Sequence, residues 1–118
     1  FIMVLKGSLT IEDTQGGGEI IGSNQAVQQY MQLIDVRKDS TLTLNSGKLH
    51  LAACDGTYSP NAAIRFEGTV KINGGTVSVT RDGIYDEVTG ETANENFALQ
   101  AYGGDTGGCA MIHDGTFG

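Results

Sequence analysis

The sequence predicts an all-β fold in which short strands stack in a repeating coil, a β-solenoid. One phrase occurs four times: an apolar-x-apolar strand, a polar corner, a glycine and a further strand. Its copies begin at Leu9, Leu42, Val70 and Ala110, so that successive copies start 33, 28 and 40 residues apart. Repeats of this length are typical of solenoids, propellers and arrays. Eighteen glycines against a single proline indicate many tight turns between short strands.

Each repeat is predicted to hold three short strands in which apolar and polar residues alternate. A bend joins the first strand to the second, and the glycine corner joins the second to the third. The predicted first strands are 2–6, 33–37, 63–67 and 97–102, the second strands are 9–12, 41–45, 69–73 and 109–113, and the third strands are 19–22, 48–52, 76–80 and 116 onward.

The alternation assigns a face to each side chain, because successive residues of a strand point to opposite sides. Thr43, His50, Lys71 and Ser78 are predicted to point outward. The apolar side chains of the opposite face are predicted to form one continuous core: Leu42, Leu44, Leu49, Leu51, Ile64, Phe66, Val70, Ile72, Val77 and Val79.

The glycine corner favours stacked coils over a hairpin meander, because it recurs once per repeat rather than between every pair of strands. Glycine supplies the positive φ that such a corner needs. The asparagine before it tolerates left-handed conformations, and its amide can bond to its equivalent in the next repeat. The predicted structural corners are Asn45, Gly47, Asn73, Gly75, His113 and Gly115.

Three insertions separate the repeats. Residues 23–32 have apolar side chains at helical spacing, so a short helix is predicted there. Residues 54–61 are predicted to form a loop, and the acidic residues 82–96 a longer excursion. A solenoid tolerates such insertions because each repeat contacts only its neighbours. We therefore expect residues 1–118 to form a single β-solenoid segment of about four rungs, cut from a longer protein.

Composition argues against two classes of partner. Seven Lys and Arg residues against fourteen Asp and Glu residues give a net charge of −7, whereas nucleic acid binding needs basic patches. No apolar run approaches the roughly 18 residues of a membrane-spanning helix, so no membrane insertion is predicted.

Cys54 and Cys109 lack the spacing of a zinc site. Two buried free thiols are the favoured interpretation, with a disulfide as the alternative.

Residues 9–13, 61–68 and 70–78 resemble the repeats of bacterial right-handed parallel β-helix proteins. The likeness is especially to large secreted or surface-exposed adhesin-like proteins of gut bacteria, in which LTINGGT units recur between strands. The resemblance covers nearly the whole chain. It implies a right-handed parallel β-helix and an extracellular or bacterial cell-surface location. Pectin-lyase-like enzymes share that fold, so the fold alone does not decide activity.

The residue types that carry chemistry do not form a recognisable catalytic pattern. The acidic side chains of 82–96 lack hydrophobic anchors, so a solvated loop is favoured over a catalytic carboxylate pair. Calcium would suit their oxygen ligands, but no D-x-D-x-D-G pattern occurs, and no metal or other cofactor is predicted. His50 and His113 have no Ser or Cys partner at a catalytic spacing. Asp35 is predicted to pair with Arg65 at an exposed site.

Three tyrosines in or beside the insertions are the candidate glycan contacts: Tyr58, Tyr85 and Tyr102. The alternative is that these side chains simply cover the loops. We predict a structural or adhesive extracellular module, such as a stalk, a surface adhesin or a filament subunit, rather than an enzyme. Its predicted partners are further copies or flanking repeats at uncapped ends of the coil, and glycans. The alternative function is a fragment of a carbohydrate-active enzyme, similar to polysaccharide lyases or glycoside hydrolases.

Overall fold

The computed structural model describes residues 2–23, 32–52, 61–80, 84–86, 91–93, 96–101 and 108–118. These residues form fourteen β-strands and no helix, so the described part of the chain is all-β, as the sequence predicts. In chain order the strands are β1 (Ile2–Val4), β2 (Gly7–Ile11), β3 (Glu19–Ser23), β4 (Gln32–Val36), β5 (Ser40–Leu44), β6 (Lys48–Ala52), β7 (Asn61–Phe66), β8 (Thr69–Ile72), β9 (Thr76–Val79), β10 (Ile84–Asp86), β11 (Glu91–Ala93), β12 (Asn96–Ala101), β13 (Cys109–Ile112) and β14 (Thr116–Phe117).

Twelve of these strands form three parallel sheets of four strands each. The first sheet has the order β1-β4-β7-β12, the second β2-β5-β8-β13 and the third β3-β6-β9-β14. Apart from β10 and β11, every third strand along the chain therefore returns to the same sheet. One repeat is thus three consecutive strands, with one strand in each sheet, which is the order that the repeated phrase predicts.

Equivalent residues of successive repeats pair directly across the sheets. In the second sheet Leu42 pairs with Leu9 on one side and with Val70 on the other. In the third sheet Leu49 pairs with Val77. A slip of one residue would move every side chain to the opposite face. The shared register therefore sends the apolar residues of all four repeats to the same side.

Apolar residues from all three sheets form a single buried cluster. Nine of the ten predicted core residues are buried, which confirms the inward assignment for them, and Val79 is half-buried. Strand β14 ends at Phe117, which pairs with Val77. The backbone N–H of Val79 donates to the carbonyl of Gly118, the residue after β14, at 2.9 Å.

The first sheet is buried on both faces of its central strand β4. Ile34 and Val36 point into the core, and Leu33 and Asp35, which alternate with them, are only 2% and 6% exposed. Ala63, in the neighbouring strand β7, is also fully buried. The prediction that Asp35 lies at an exposed site is therefore wrong, because the outer face of this sheet is covered there.

The insertions differ in part from the predictions. The predicted helix at 23–32 lies outside the described residues except for its two end residues, which belong to strands. The predicted loop at 54–61 also lies outside them, except for Asn61 at the start of β7. Within 82–96, strands β10 and β11 pair in an antiparallel sheet of two strands that is separate from the three parallel sheets, so the predicted excursion from the coil contains strands.

The cysteine prediction is also corrected in part. Cys109 is a free and exposed thiol at the start of β13, so the prediction of burial is wrong for this residue. It pairs with Thr69, and Thr69 in turn pairs with Thr41, neither of which belongs to the buried core. Cys109 therefore continues an outward-facing set of residues. Cys54 lies outside the described residues.

Candidate functional site

The polar corners that follow the second sheet lie one above another. The backbone N–H of Asn45 donates to the carbonyl of Ile11 at 2.9 Å, and that of Asn73 donates to the carbonyl of Leu44 at 2.8 Å. The N–H of His113 continues the series by donating to Ile72 at 2.7 Å. We call the stacked residues at this position the corner column: Glu12, Asn45, Asn73 and His113.

Side chains of the corner column bond directly between repeats. The amide Nδ2 of Asn73 donates to Oδ1 of Asn45 at 2.9 Å. Adjacent strands of a sheet are about 4.8 Å apart, so short amide side chains in register can reach each other. The structure thus brings Asn45 and Asn73 together, and it places His113 in the next position of the same column.

The glycines of the same corners form a second stack, the glycine column, made of Gly18, Gly47, Gly75 and Gly115. The residues that directly follow Gly47, Gly75 and Gly115 each donate a backbone N–H to the carbonyl of the equivalent glycine in the preceding repeat, at distances of 2.9 to 3.1 Å. Gly47, Gly75 and Gly115 have φ values of +94°, +87° and +138°, which glycine tolerates far better than other residues. A Cβ on Gly75 would lie 2.5 Å from the carbonyl oxygen of Gly47. Glycine is therefore needed both for the backbone conformation and for the close stacking.

The first corner is built around the carboxylate of Asp13. Its two oxygens accept hydrogen bonds from the backbone N–H groups of Gln15, Gly16 and Gly18 at 3.0, 2.9 and 2.6 Å. The backbone N–H of Asp13 donates to Oγ of Ser46 at 2.8 Å, and that hydroxyl donates to the carbonyl of Asp13 at 3.0 Å. Ser46 thus fastens the first corner onto the second.

Asp13 lies between the predicted strands 9–12 and 19–22, and the repeat pattern assigns it no role. The available signal was an Asp followed closely by glycines, because aspartate side chains commonly accept bonds from the backbone a few residues on. The hydrogen bonds from Gly18, Gln15 and Gly16 lower the pKa of Asp13 below its ordinary value of 3.8, with the bond from Gly18 the largest cause.

The lowered pKa of Asp13 predicts a pH-dependent contribution to stability. A carboxyl group whose pKa is lower in the folded state stabilises that state at pH values above its pKa in the unfolded chain. This contribution is lost as the pH falls through the pKa of the folded state. Asp13→Asn is therefore expected to lower the melting temperature at neutral pH, with the difference from the unsubstituted protein shrinking as the solution is acidified. Thermal melts across an acid series test this, with Glu12→Gln as the matched control. A difference that does not change with pH would contradict it.

The outer face of the third sheet carries two further contacts between repeats. Nδ1 of His50 lies 2.7 Å from Oγ of Ser78, and the two residues pair in register. Lys48 forms an ion pair with Glu19 of the preceding repeat, with 2.8 Å between Nζ and Oε1. His50 therefore has a serine neighbour, although not one at a catalytic spacing in the sequence. The two residues are 28 positions apart, which is one repeat, and no catalytic spacing in sequence would reveal them.

The His50–Ser78 contact supplies one element of nucleophilic catalysis, a basic nitrogen beside a hydroxyl. Catalysis also needs donors for the developing oxyanion and a group that orients the imidazole. Among the residues that the structure describes, no hydrogen bond is made by the second ring nitrogen of His50. The contact connects the second repeat to the third in the same manner as the Asn45–Asn73 bond.

Asp35 forms its ion pair with Arg37, the residue that follows β4. Its Oδ2 lies 3.2 Å from Nη1 of Arg37. Arg65 is in register with Asp35, as the alignment of repeats predicts, but the ion pair of Asp35 is made with Arg37. Ser40 begins β5, and its hydroxyl donates to the carbonyl of Val4 at 2.8 Å, which joins the first repeat to the second.

The structure describes little of the remaining predicted site residues. Tyr58 and Tyr102 lie outside the described residues, and Tyr85 is known only as a backbone position in β10, where it pairs with Thr92. The described residues contain no group of three or more side chains suited to hold a metal ion. In the same part of the chain, no helix combines the length and apolar character that crossing a membrane requires.

Exposed apolar side chains occur in the first and fourth repeats. Among the side chains that the structure describes, the large hydrophobic residues that are more than a third exposed all belong to these two repeats: Met3, Leu5, Ile21, Met111, Ile112 and Phe117. Ile112 pairs with the fully buried Ile72, and Phe117 pairs with Val77. Ile112 and Phe117 therefore lie in line with the buried core and are exposed, whereas Leu99 of the same repeat is half-buried against the core.

Comparison with protein families, curated proteins and solved structures finds no match to this chain.

Proposed function

We propose that this chain is a right-handed parallel β-helix that acts as a rigid structural module of an extracellular or cell-surface protein. Three parallel sheets with one strand per repeat support the coil. Parallel strands joined by a crossover are right-handed in about 98% of cases, which supports the hand. The repeated sequence phrase supports a role in which the repeat itself is the working unit.

The observation that carries the proposal is that polar side chains form hydrogen bonds and ion pairs between neighbouring repeats. Asn45 bonds to Asn73, His50 to Ser78, and Lys48 to Glu19, each across one step of the stack. Ser46 bonds to the backbone of Asp13 in the same way. The polar groups that a binding cleft would direct at a ligand are directed here at the neighbouring repeat. Such contacts stiffen a stalk or filament along its length.

An adhesive role would depend on the insertions, which depart from the repeat, because the candidate glycan contacts Tyr58, Tyr85 and Tyr102 lie in or beside them. Loops placed on a rigid scaffold are the usual sites of recognition. The module would then hold its loops at a fixed spacing along the coil.

The alternative, a fragment of a carbohydrate-active enzyme, is tested by incubating the folded chain with a panel of acidic and neutral polysaccharides. Ultraviolet absorbance reports the unsaturated ends that a lyase produces, and a reducing-sugar assay reports hydrolysis. We expect neither signal to rise above that of heat-denatured protein, while an authentic lyase gives a positive control. Cleavage of any polysaccharide would replace the structural module with the enzyme.

A further inference from the structure

We infer that Asn73 is a site of spontaneous deamidation, at which the corner column of the folded protein is converted from an amide to an acid. The inference rests on the chemistry of this corner and goes beyond the proposed role as a structural module. Asn73 lies in the third repeat, with Asn45 of the second repeat and His113 of the fourth on either side of it in the corner column. Its surroundings are therefore those of the interior of the stack.

The packing of the corner explains why a glycine directly follows Asn73. A Cβ on Gly74 would lie 2.6 Å from the carbonyl oxygen of Asn45, which is closer than two such atoms can approach. Asn73 in turn supplies the amide that bonds to Asn45 at 2.9 Å. The two requirements together produce an Asn-Gly pair, and no other asparagine of the sequence is followed by glycine. Asparagine is a thermally labile residue, and a glycine after it leaves the next backbone nitrogen unshielded.

The groups that must react are accessible in the folded corner. The side chain of Asn73 is exposed, and Gly74 is half-buried. Among the hydrogen bonds of the described residues, none is donated by the backbone N–H of Gly74, whereas the N–H groups of Asn73 and Thr76 both donate to the preceding repeat. A base in solution can therefore remove the Gly74 amide proton without breaking a hydrogen bond of the stack.

The reaction consumes water and releases ammonia. Once a base has removed its proton, the backbone nitrogen of Gly74 attacks Cγ of Asn73 and forms a cyclic succinimide. The bond between Cγ and Nδ2 breaks, and Nδ2 takes up a proton and leaves as ammonia. Water then opens the ring. Attack of water at Cγ gives aspartate, and attack at the backbone carbonyl carbon of residue 73 gives isoaspartate, in which the main chain runs through Cβ and Cγ.

The hydrogen bond to Asn45 restrains this reaction. Nδ2 of Asn73, which is the leaving group, donates to Oδ1 of Asn45. A nitrogen that has lost its amide conjugation is a weaker donor, so the bond stabilises the planar amide more than the tetrahedral intermediate. An interaction that favours the ground state over the transition state slows a reaction. The corner column thus protects the residue that it also makes labile.

Each product weakens the corner column. Both products lose Nδ2, which is the donor of the bond to Asn45. Isoaspartate also lengthens the main chain directly before Gly74, a residue packed closely against the carbonyl of Asn45. Deamidation therefore removes one contact between the second and third repeats, and isoaspartate in addition displaces the corner.

The test is prolonged incubation of the folded chain in mildly alkaline buffer, followed by proteolysis and mass spectrometry. We expect residue 73 to show the mass of the acid before any other asparagine, with isoaspartate among the products. The chain unfolded in guanidinium chloride is the positive control for the chemistry. Asn73→Gln, whose longer side chain closes a ring less readily, should keep its amide. An Asn73 that stays intact in the folded chain while it converts in the unfolded one would overturn the inference.

The restraint by Asn45 is measured separately with Asn45→Ala. Removing the acceptor should speed conversion of Asn73 by roughly two- to tenfold, the range that one neutral hydrogen bond gives. The matched control, Thr43→Ala, changes an outward residue of β5 that pairs with Lys71 and should leave the rate unchanged. Circular dichroism confirms that both variants are folded. Equal rates in Asn45→Ala and the unsubstituted chain would overturn the restraint.

Thermal melting tests the effect of the product. The isoaspartate form, separated by ion exchange, should melt at a lower temperature than the Asn73→Asp variant, because only isoaspartate lengthens the main chain. Equal melting temperatures would overturn the displacement of the corner.

Discussion

Replacing Ile72 with aspartate is expected to prevent the chain from folding. Ile72 is fully buried and lies between Leu44 and Ile112 in the second sheet. A carboxylate placed there would have apolar neighbours in the core and no partner to compensate its lost hydration. The expected cost is more than about 5 kcal/mol, which is comparable to the whole stability of an ordinary domain.

Circular dichroism and thermal melting measure this effect, with Lys71→Asp as the matched control. Lys71 is the neighbouring residue of the same strand, and its side chain is exposed on the opposite face. The control should fold with a melting temperature close to that of the unsubstituted chain. A soluble Ile72→Asp variant with an unchanged melting curve would contradict the inward assignment of the second sheet.

Replacing Gly75 with alanine is expected to destabilise the protein by at least about 2 kcal/mol. Two costs combine at this position. The φ of +87° is unfavourable for a residue with a Cβ, and that Cβ would lie 2.5 Å from the carbonyl oxygen of Gly47. The corners of the second and third repeats would have to move apart to accommodate it.

Gly17→Ala separates these two costs. Gly17 has a φ of +82°, but a Cβ there would meet no atom within 4 Å. Only the conformational cost of about 1–2 kcal/mol should appear. Chemical denaturation of both variants gives the comparison. Equal destabilisation of Gly17→Ala and Gly75→Ala would show that the close stacking of the glycine column has no energetic role.

The parts of the fold that follow from the period of the sequence were predictable. Alignment of the four copies assigns the core, because residues at the same position of each repeat share a register and therefore a face. The corners follow for the same reason, since a positive φ at one glycine is repeated at its equivalents. Strand β5 was predicted at 41–45 and lies at Ser40–Leu44, a shift of one residue at each end.

The errors come from features that the period does not determine. The burial of Asp35 depends on what covers the outer face of the first sheet, and the repeat does not include that cover. Strands β10 and β11 lie within an acidic insertion that has no counterpart in the other repeats.

Two other features follow from the alignment of the repeats, although they were not predicted. Cys109 shares a position with the outward Thr69, which would have predicted its exposure. His50 and Ser78 share a position as well, and their contact follows from register rather than from any catalytic motif.

The central claim, that equivalent corners stack in register, is tested most directly by the variant Asn45→Cys with Asn73→Cys in a background in which Cys54 and Cys109 are serine. The Asn45–Asn73 bond of 2.9 Å places these positions side by side, so a disulfide should form quantitatively on oxidation of the folded monomer. By closing a loop of nearly one repeat it should add about 3–4 kcal/mol of stability. Mass spectrometry counts the remaining thiols. Asn45→Cys with Lys71→Cys, offset by two residues, should stay reduced, and oxidation of this pair in preference to the first would contradict the stacking.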